Sequence, residues 1–251
     1  MWQTPAPLWP EFHRRSALML SLSDPQILPT PTIENGERLV QIAGQHRQLL
    51  VDDSPSNIQC LGYVPSYVAR DSVVRRLVEA ASALPSTYGL LVKESLRPAQ
   101  LQRFYFERRL KRISSENPGL SEQEAVALTS QFVAPPWVAG HPSGGAVDVT
   151  LCDQQGREVD MGCGYDEDEA ASNGACFSLF DGLGVAEQEH RRLMFAAMEQ
   201  AGFVNYPFEW WHWSYGDRYW AAVKQQPHAL YGPVEDGVAL TGPNSRSPPR
   251  N

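Results

Sequence analysis

Two short stretches hold most of the side chains able to do chemistry. In Gly140-His141-Pro-Ser-Gly-Gly-Ala-Val-Asp148-Val-Thr-Leu151 a histidine sits in a glycine-rich turn, and an aspartate follows seven residues later among Val147, Val149 and Leu151. A carboxylate in so apolar a strand is costly to bury unless a cation pairs with it. A metal ion would serve, and His with Asp supplies two of the three protein ligands of a catalytic zinc. The plainer alternative makes Asp148 a turn cap and His141 a surface residue. The second stretch is Phe208-Glu209-Trp210-Trp211-His212-Trp213-Ser214. Residues three apart face opposite sides of a straight strand, so Glu209 and His212 can act together only across a turn or bulge. In that case His212 is a third ligand and Glu209 a general base on a metal-bound water. Otherwise the stretch is an aromatic core strand whose Glu209 and His212 serve indole N–H groups. Taken together, the two stretches predict one zinc ion per chain, with three ligands and one coordination position open to water.

A third candidate is Glu94-Ser-Leu-Arg97-Pro98, which follows the apolar run Leu90-Leu-Val92. Arg97 there either points into a cleft and holds developing negative charge, or is a solvated partner of Glu94.

The elements that must position these residues are legible in part. Apolar side chains at Val73, Val74, Leu77, Val78, Ala81 and Leu84 form the stripe of an amphipathic helix. Pro98 opens a second helix to about Ser115, in the first turn where its missing N–H is harmless. Ser121 with Glu124 is a capping-box pattern for a third, through about Phe132. A fourth runs from Glu187 to Ala201 and closes at Gly202. Strands are predicted at Tyr88–Lys93, Ala146–Leu151 and Phe203–Tyr206, with a first one near Glu37–Ile42. Helices and strands mix without a regular βαβ rhythm, so the fold class is α+β.

The chain has 251 residues, 42% of them apolar and 20% charged, enough to build a real core. Residues 1–40 read as a proline-rich extension, 41–236 as the domain that carries the chemistry, and 237–251 as a flexible tail. Twenty-nine acidic against 21 basic residues, with no Lys/Arg stripe, argue against a nucleic-acid partner. No apolar run approaches the ~20 residues of a membrane helix, so no membrane partner is expected. The short apolar run Ala17–Ser23 does not make a secretory leader, and a cytoplasmic location is expected. Four cysteines without a CxxC pair read as reduced thiols.

His141-x6-Asp148 followed by Glu209-Trp-Trp-His212, with Arg97-Pro98 upstream, resembles the D-alanyl-D-alanine dipeptidases of the VanX type. These are zinc peptidases related to D,D-carboxypeptidases and to the zinc domain of hedgehog proteins. The resemblance covers roughly residues 57–220 and extends to Tyr88-Gly-Leu-Leu, Ala146-Val-Asp-Val-Thr-Leu151, Met161-Gly162 and Ala201-Gly-Phe203. It implies a small, mostly antiparallel sheet flanked by helices, with zinc in the central cleft. It also implies that His141, Asp148 and His212 hold the zinc, that Glu209 is the catalytic base and that Arg97 stabilises the tetrahedral intermediate. Asp166 falls where the family holds the substrate's free amino group, although Asp166-Glu-Asp-Glu169 would also suit a solvated acidic loop. Ala139 stands where the family usually has a serine, which bears on substrate choice rather than on the metal. The implied reaction is hydrolysis of D-Ala-D-Ala or a similar D-amino-acid dipeptide. The alternatives are a D,D-carboxypeptidase acting on longer cell-wall peptides and a non-catalytic, zinc-stabilised binding module.

Overall fold

The computed structural model describes residues 20–22, 24, 26–130 and 133–234. In chain order the elements are β1 (Leu39–Gln41), β2 (Leu49–Val51), α1 (Pro55–Leu61), β3 (Val68–Arg70), α2 (Asp71–Ala83), β4 (Tyr88–Glu94), α3 (Ala99–Glu116), α4 (Glu122–Thr129), β5 (Ala146–Asp153), α5 (Glu169–Ser172), α6 (Val185–Gln200), β6 (Val204–Tyr206), β7 (Glu209–Ser214) and α7 (Arg218–Val223). A single 3₁₀ turn, His141–Ser143, precedes β5. The fold is α+β, as expected from the sequence.

The predicted helices form, with shifts at their ends. α2 buries Val73, Val74, Leu77, Ala80 and Ala81, the face the apolar stripe predicts. Pro98 is the cap of α3 rather than its first helical residue. The capping box of α4 forms in both directions between Ser121 and Glu124, but the helix stops at Thr129, and residues 131 and 132 lie outside the described ones. The expected tail, 237–251, also lies outside them.

Five strands make the main sheet in the order β2-β4-β5-β7-β6. β2 runs parallel to β4, and the other neighbours are antiparallel. β1 and β3 form a separate antiparallel pair. Side chains alternate along β5, so Val147, Val149 and Leu151 enter the core with Leu77 of α2 and Met194 and Met198 of α6. Each such side chain, fully buried, contributes about 1.5–3 kcal/mol. Asp148 and Thr150 therefore face the other side of the sheet. A second, smaller cluster packs Leu20, Leu22 and Ile27 of the N-terminal segment against Val138, Val204, Tyr206 and Tyr219.

Two irregularities rephase the sheet where the chemistry lies. Val92 faces Val149, but the next aligned pair is Glu94 with Asp148, which skips Lys93 and turns Glu94 onto the same face as Asp148. Between β6 and β7, Asn205 faces Trp213 while the next residue, Tyr206, faces Glu209. The surplus residues of β7 form a bulge that is tied down by one side chain. Asn205 Nδ2 donates to the carbonyls of Glu209, Trp210 and His212 at 3.3, 3.3 and 3.0 Å.

Candidate active site

Strand pairing sets one row of acidic and imidazole groups across three strands. Glu94 on β4 lies opposite Asp148 on β5, and Asp148 lies opposite His212 on β7. His141 joins them from the 3₁₀ turn before β5. One potential ligand atom from each of His141, Asp148 and His212 lies within 4.8 Å of the other two, and all three residues are buried. Asp148 Oδ1 is 3.0 Å from His212 Nδ1 and 3.4 Å from His141 Nε2. The imidazole rings meet edge to face with centroids 4.9 Å apart.

The donor chemistry fits a cation at this point. His141 Nδ1 donates to the carbonyl of Ser95 at 2.7 Å, because a carbonyl can only accept. In the neutral ring, Nε2 then presents a lone pair towards the carboxylate oxygen of Asp148, an arrangement that calls for positive charge between them. Tyr165 Oη donates to the other oxygen, Oδ2, at 2.9 Å, so Oδ1 is left facing the imidazoles. Burial alone would raise the pKa of Asp148, but His141 and His212 outweigh it and hold the carboxyl well below the usual range. Burial pushes His141 down, and Asp148 more than reverses this. Two imidazole nitrogens and one carboxylate oxygen are a donor set suited to zinc, with a coordination position left over.

The bulge in β7 resolves the spacing problem of Glu209 and His212. Both side chains reach the same side, with Glu209 Oε2 4.0 Å from His212 Nδ1. Burial, followed by the nearby charges of Asp148 and Asp166, pushes the pKa of Glu209 well above that of an ordinary glutamate.

Arg97 satisfies parts of both sequence readings. It is paired with Glu94, as the plainer one expected, yet Glu94 is fully buried and Arg97, half-buried, lines the cleft. Nε and Nη2 donate to the two oxygens of Glu94, and Nη1 donates to Gln102 Oε1 at 2.7 Å. Glu94 also accepts from Tyr63 Oη at 2.6 Å. Burial would raise Glu94, but Arg97 overcomes it and the net shift is downward.

Asp166 sits in the wall of the same cleft with φ +63°, a left-handed conformation uncommon outside glycine. Its outer side is open to solvent. Desolvation by the surrounding protein and the charge of Asp148 push its carboxyl up to about 6, a shift that the solvent at its edge tempers.

Comparison with known proteins agrees with this geometry. Residues 64–230, about two thirds of the chain, match the family described as Peptidase M15, D-ala-D-ala dipeptidase. The chain belongs to that family. It is 31% identical to the D-alanyl-D-alanine dipeptidase of Synechocystis sp. over 202 residues, covering 67% of this chain and 80% of that protein. With the D-alanyl-D-alanine dipeptidase of Enterococcus faecalis it shares 30% identity over 131 residues, covering 50% and 61%. A solved D,D-pentapeptidase, VanY, in complex with Zn(II), aligns over 82% of this chain and 96% of that one. That match has 14% identity and a TM-score of 0.38, too distant to add to the family assignment.

In this M15 metallopeptidase the cleft has two unequal parts. A chamber of about 50 Å3 surrounds the His141–Asp148–His212 cluster, and a groove of about 730 Å3 leads outward between α1, α3 and the 165–171 segment. Arg97, Asp166, Glu209 and Trp211 line both.

Several supporting residues escape a reading of the sequence. Tyr165, the Ser95 carbonyl and Asn205 act through contacts that no local pattern announces. Asp217 did leave a signal, since it precedes a helical run and caps α7 by accepting from Trp220 N at 2.8 Å. Its other oxygen lies where a Cβ on residue 140 would collide with it, so only glycine fits beside His141.

Proposed function

We propose that this M15 peptidase is a zinc-dependent dipeptidase that hydrolyses D-Ala-D-Ala or a similar D-amino-acid dipeptide. The observation that carries this reading is the juxtaposition of the buried His141–Asp148–His212 cluster with Glu209, three residues before His212 on the bulged strand. Zinc, when bound, lowers the pKa of its water towards ~7 and polarises the scissile carbonyl. Glu209 takes the proton of the attacking water and later delivers it to the departing amine. Its raised pKa suits it to keep that proton in between. Arg97, locked by Glu94 and Gln102, directs its remaining N–H donors at the oxyanion as it forms. Asp166, which accepts only a long hydrogen bond from the Cys60 thiol at 3.9 Å and makes no ion pair among the described residues, pairs with the free ammonium of the dipeptide.

One observation favours a second substrate class. The groove continues well past Asp166, and Ala139 replaces the serine expected from the resemblance, so a longer D,D-peptide trimmed by a carboxypeptidase would also find room. A purely structural zinc module has no use for Glu209 and Arg97 beside the metal. Product analysis of D-Ala-D-Ala against a pentapeptide ending in D-Ala-D-Ala tests the choice, with and without chelator and after zinc is restored. Preferential, zinc-restored cleavage of the dipeptide is expected. Preference for the pentapeptide would favour the carboxypeptidase, and no cleavage of either would end both.

A further inference from the structure

We propose that Leu22, from the N-terminal segment, is a specificity-determining residue that limits the size of the substrate residue lying across the scissile bond from Asp166. This rests on the dipeptidase reading above. Leu22 belongs to the wall of the small chamber together with Arg97, Glu209, His212 and Ala134, whereas the wide groove does not reach it. A dipeptide whose ammonium sits at Asp166 and whose carbonyl lies between Glu209 and Arg97 sends its C-terminal residue away from the groove. In that pose the residue enters the small chamber that Leu22 and Ala134 help to line. Those two side chains add apolar surface to a largely polar chamber of about 50 Å3, a size and surface that suit a methyl group.

Leu22 is built in rather than draped across. It is 6% exposed and packs with Leu20, Ile27, Val138, Tyr206 and Tyr219. The turn that presents it is closed by Asp24 N donating to Ser21 O at 2.9 Å and Ile27 N to Asp24 O at 3.0 Å. The chain that follows is fastened to the domain where Ala229 N donates to Pro31 O at 2.8 Å and Arg218 Nε to Thr32 Oγ1 at 3.0 Å. A wall held at several points can discriminate by size, because yielding to a larger group would disturb the packing behind it.

The substrate class that follows is dipeptides with glycine or an alanine-sized residue at the C-terminus. The test compares kcat/KM for D-Ala-Gly, D-Ala-D-Ala and D-Ala-D-Leu in the full-length, zinc-loaded protein and in Leu22→Ala and Leu22→Phe. Wild type should prefer D-Ala-D-Ala over D-Ala-D-Leu by at least about tenfold. Leu22→Ala should shrink that ratio about tenfold or more, and Leu22→Phe should shift preference towards D-Ala-Gly. Should Leu22→Ala not hold its fold, Leu22→Val makes the same comparison at a smaller step. Variants that lose rate equally on all three substrates would show packing alone and overturn the proposal, as would unchanged ratios. Inactivity of the wild type on every dipeptide would fail the dipeptidase reading itself and the proposal with it.

Discussion

Two of the clusters of buried charge among the described residues are balanced differently. Around Lys93, which is 6% exposed at its side chain, the ammonium is bonded to Asp52 and to Glu158 at 2.6 Å and lies 5.4 Å from the centre of the Tyr165 ring. Burial would push Lys93 down and Asp52 up, yet their mutual pairing reverses both shifts. In the cleft, by contrast, Glu94, Asp148, Glu209 and Asp166 gather around Arg97, which pairs with Glu94, while Arg109 lines the groove farther out. With the four carboxyls ionised and the imidazoles neutral, these carboxylates exceed Arg97 by three charges. A divalent metal and a substrate ammonium would restore balance. In the first cluster the one cation is met by two carboxylates, Asp52 and Glu158, so the ammonium needs no outside partner. The second is finished only by what binds to it, and the raised carboxyls of Glu209 and Asp166 are the trace of that incompleteness.

The contrast can be broken most severely at Glu209. Glu209→Gln keeps the shape and the candidate metal ligands but removes the proposed proton acceptor. It should lower kcat by about 10²–10⁴-fold with zinc content unchanged. A folded, zinc-replete variant with wild-type kcat would take Glu209 out of the reaction. The opposite result is expected from the Lys93 cluster. Lys93→Met strands the carboxylate of Asp52 and should cost about 3–5 kcal/mol of stability, read by denaturant unfolding, with kcat little altered wherever the protein remains folded. Loss of turnover with intact stability would mean that the two clusters are not separate.

The smallest effect sharpens the contrast through pH. With its carboxyl near 6, Asp166 is charged at pH 7.5 and mostly neutral at pH 5, so its hold on an ammonium fades on acidification. kcat/KM for a free dipeptide should carry an about tenfold fall over that range that disappears in Asp166→Asn, which is already impaired at neutral pH. An identical pH profile in the variant would remove Asp166 from amine recognition. In stability the sign reverses. A carboxyl raised from 3.8 favours the folded state below that value and loses the contribution as pH rises through about 6. Asp166→Asn should therefore melt higher than wild type at pH 7.5 and not at pH 4.

Much of this was legible because it depends on local patterns. The stripe from Val73 to Leu84, the capping box at Ser121 and the alternation around Asp148 each state their own geometry. The His141-to-Asp148 spacing needs only a turn followed by a strand, both written in Gly140–Leu151. What stayed hidden depends on strand register. Nothing in Leu90–Glu94 announces that Lys93 is skipped, so the site-facing role of Glu94 could not be read from alternation. For Glu209 and His212 the need for a bulge was visible, but not that Asn205 would hold it. The short elements α1 and β2 escaped because periodicity has no length to develop in them, although Ser54-Pro55 is a readable helix start. Leu22 acts at long range, and no window of sequence links it to the cleft it walls.

The clamp at Asn205 ties the candidate base and a candidate metal ligand to one rigid corner of the hairpin. Any flexing of the molecule that shifted this corner would carry Glu209 and His212 together, preserving their spacing while changing their distance from His141 and Asp148. Shearing of β7 against β5 would accordingly loosen the grip on the ion before it separated acid from imidazole, making loss of metal, rather than misalignment of the base, the first symptom of damage to the sheet.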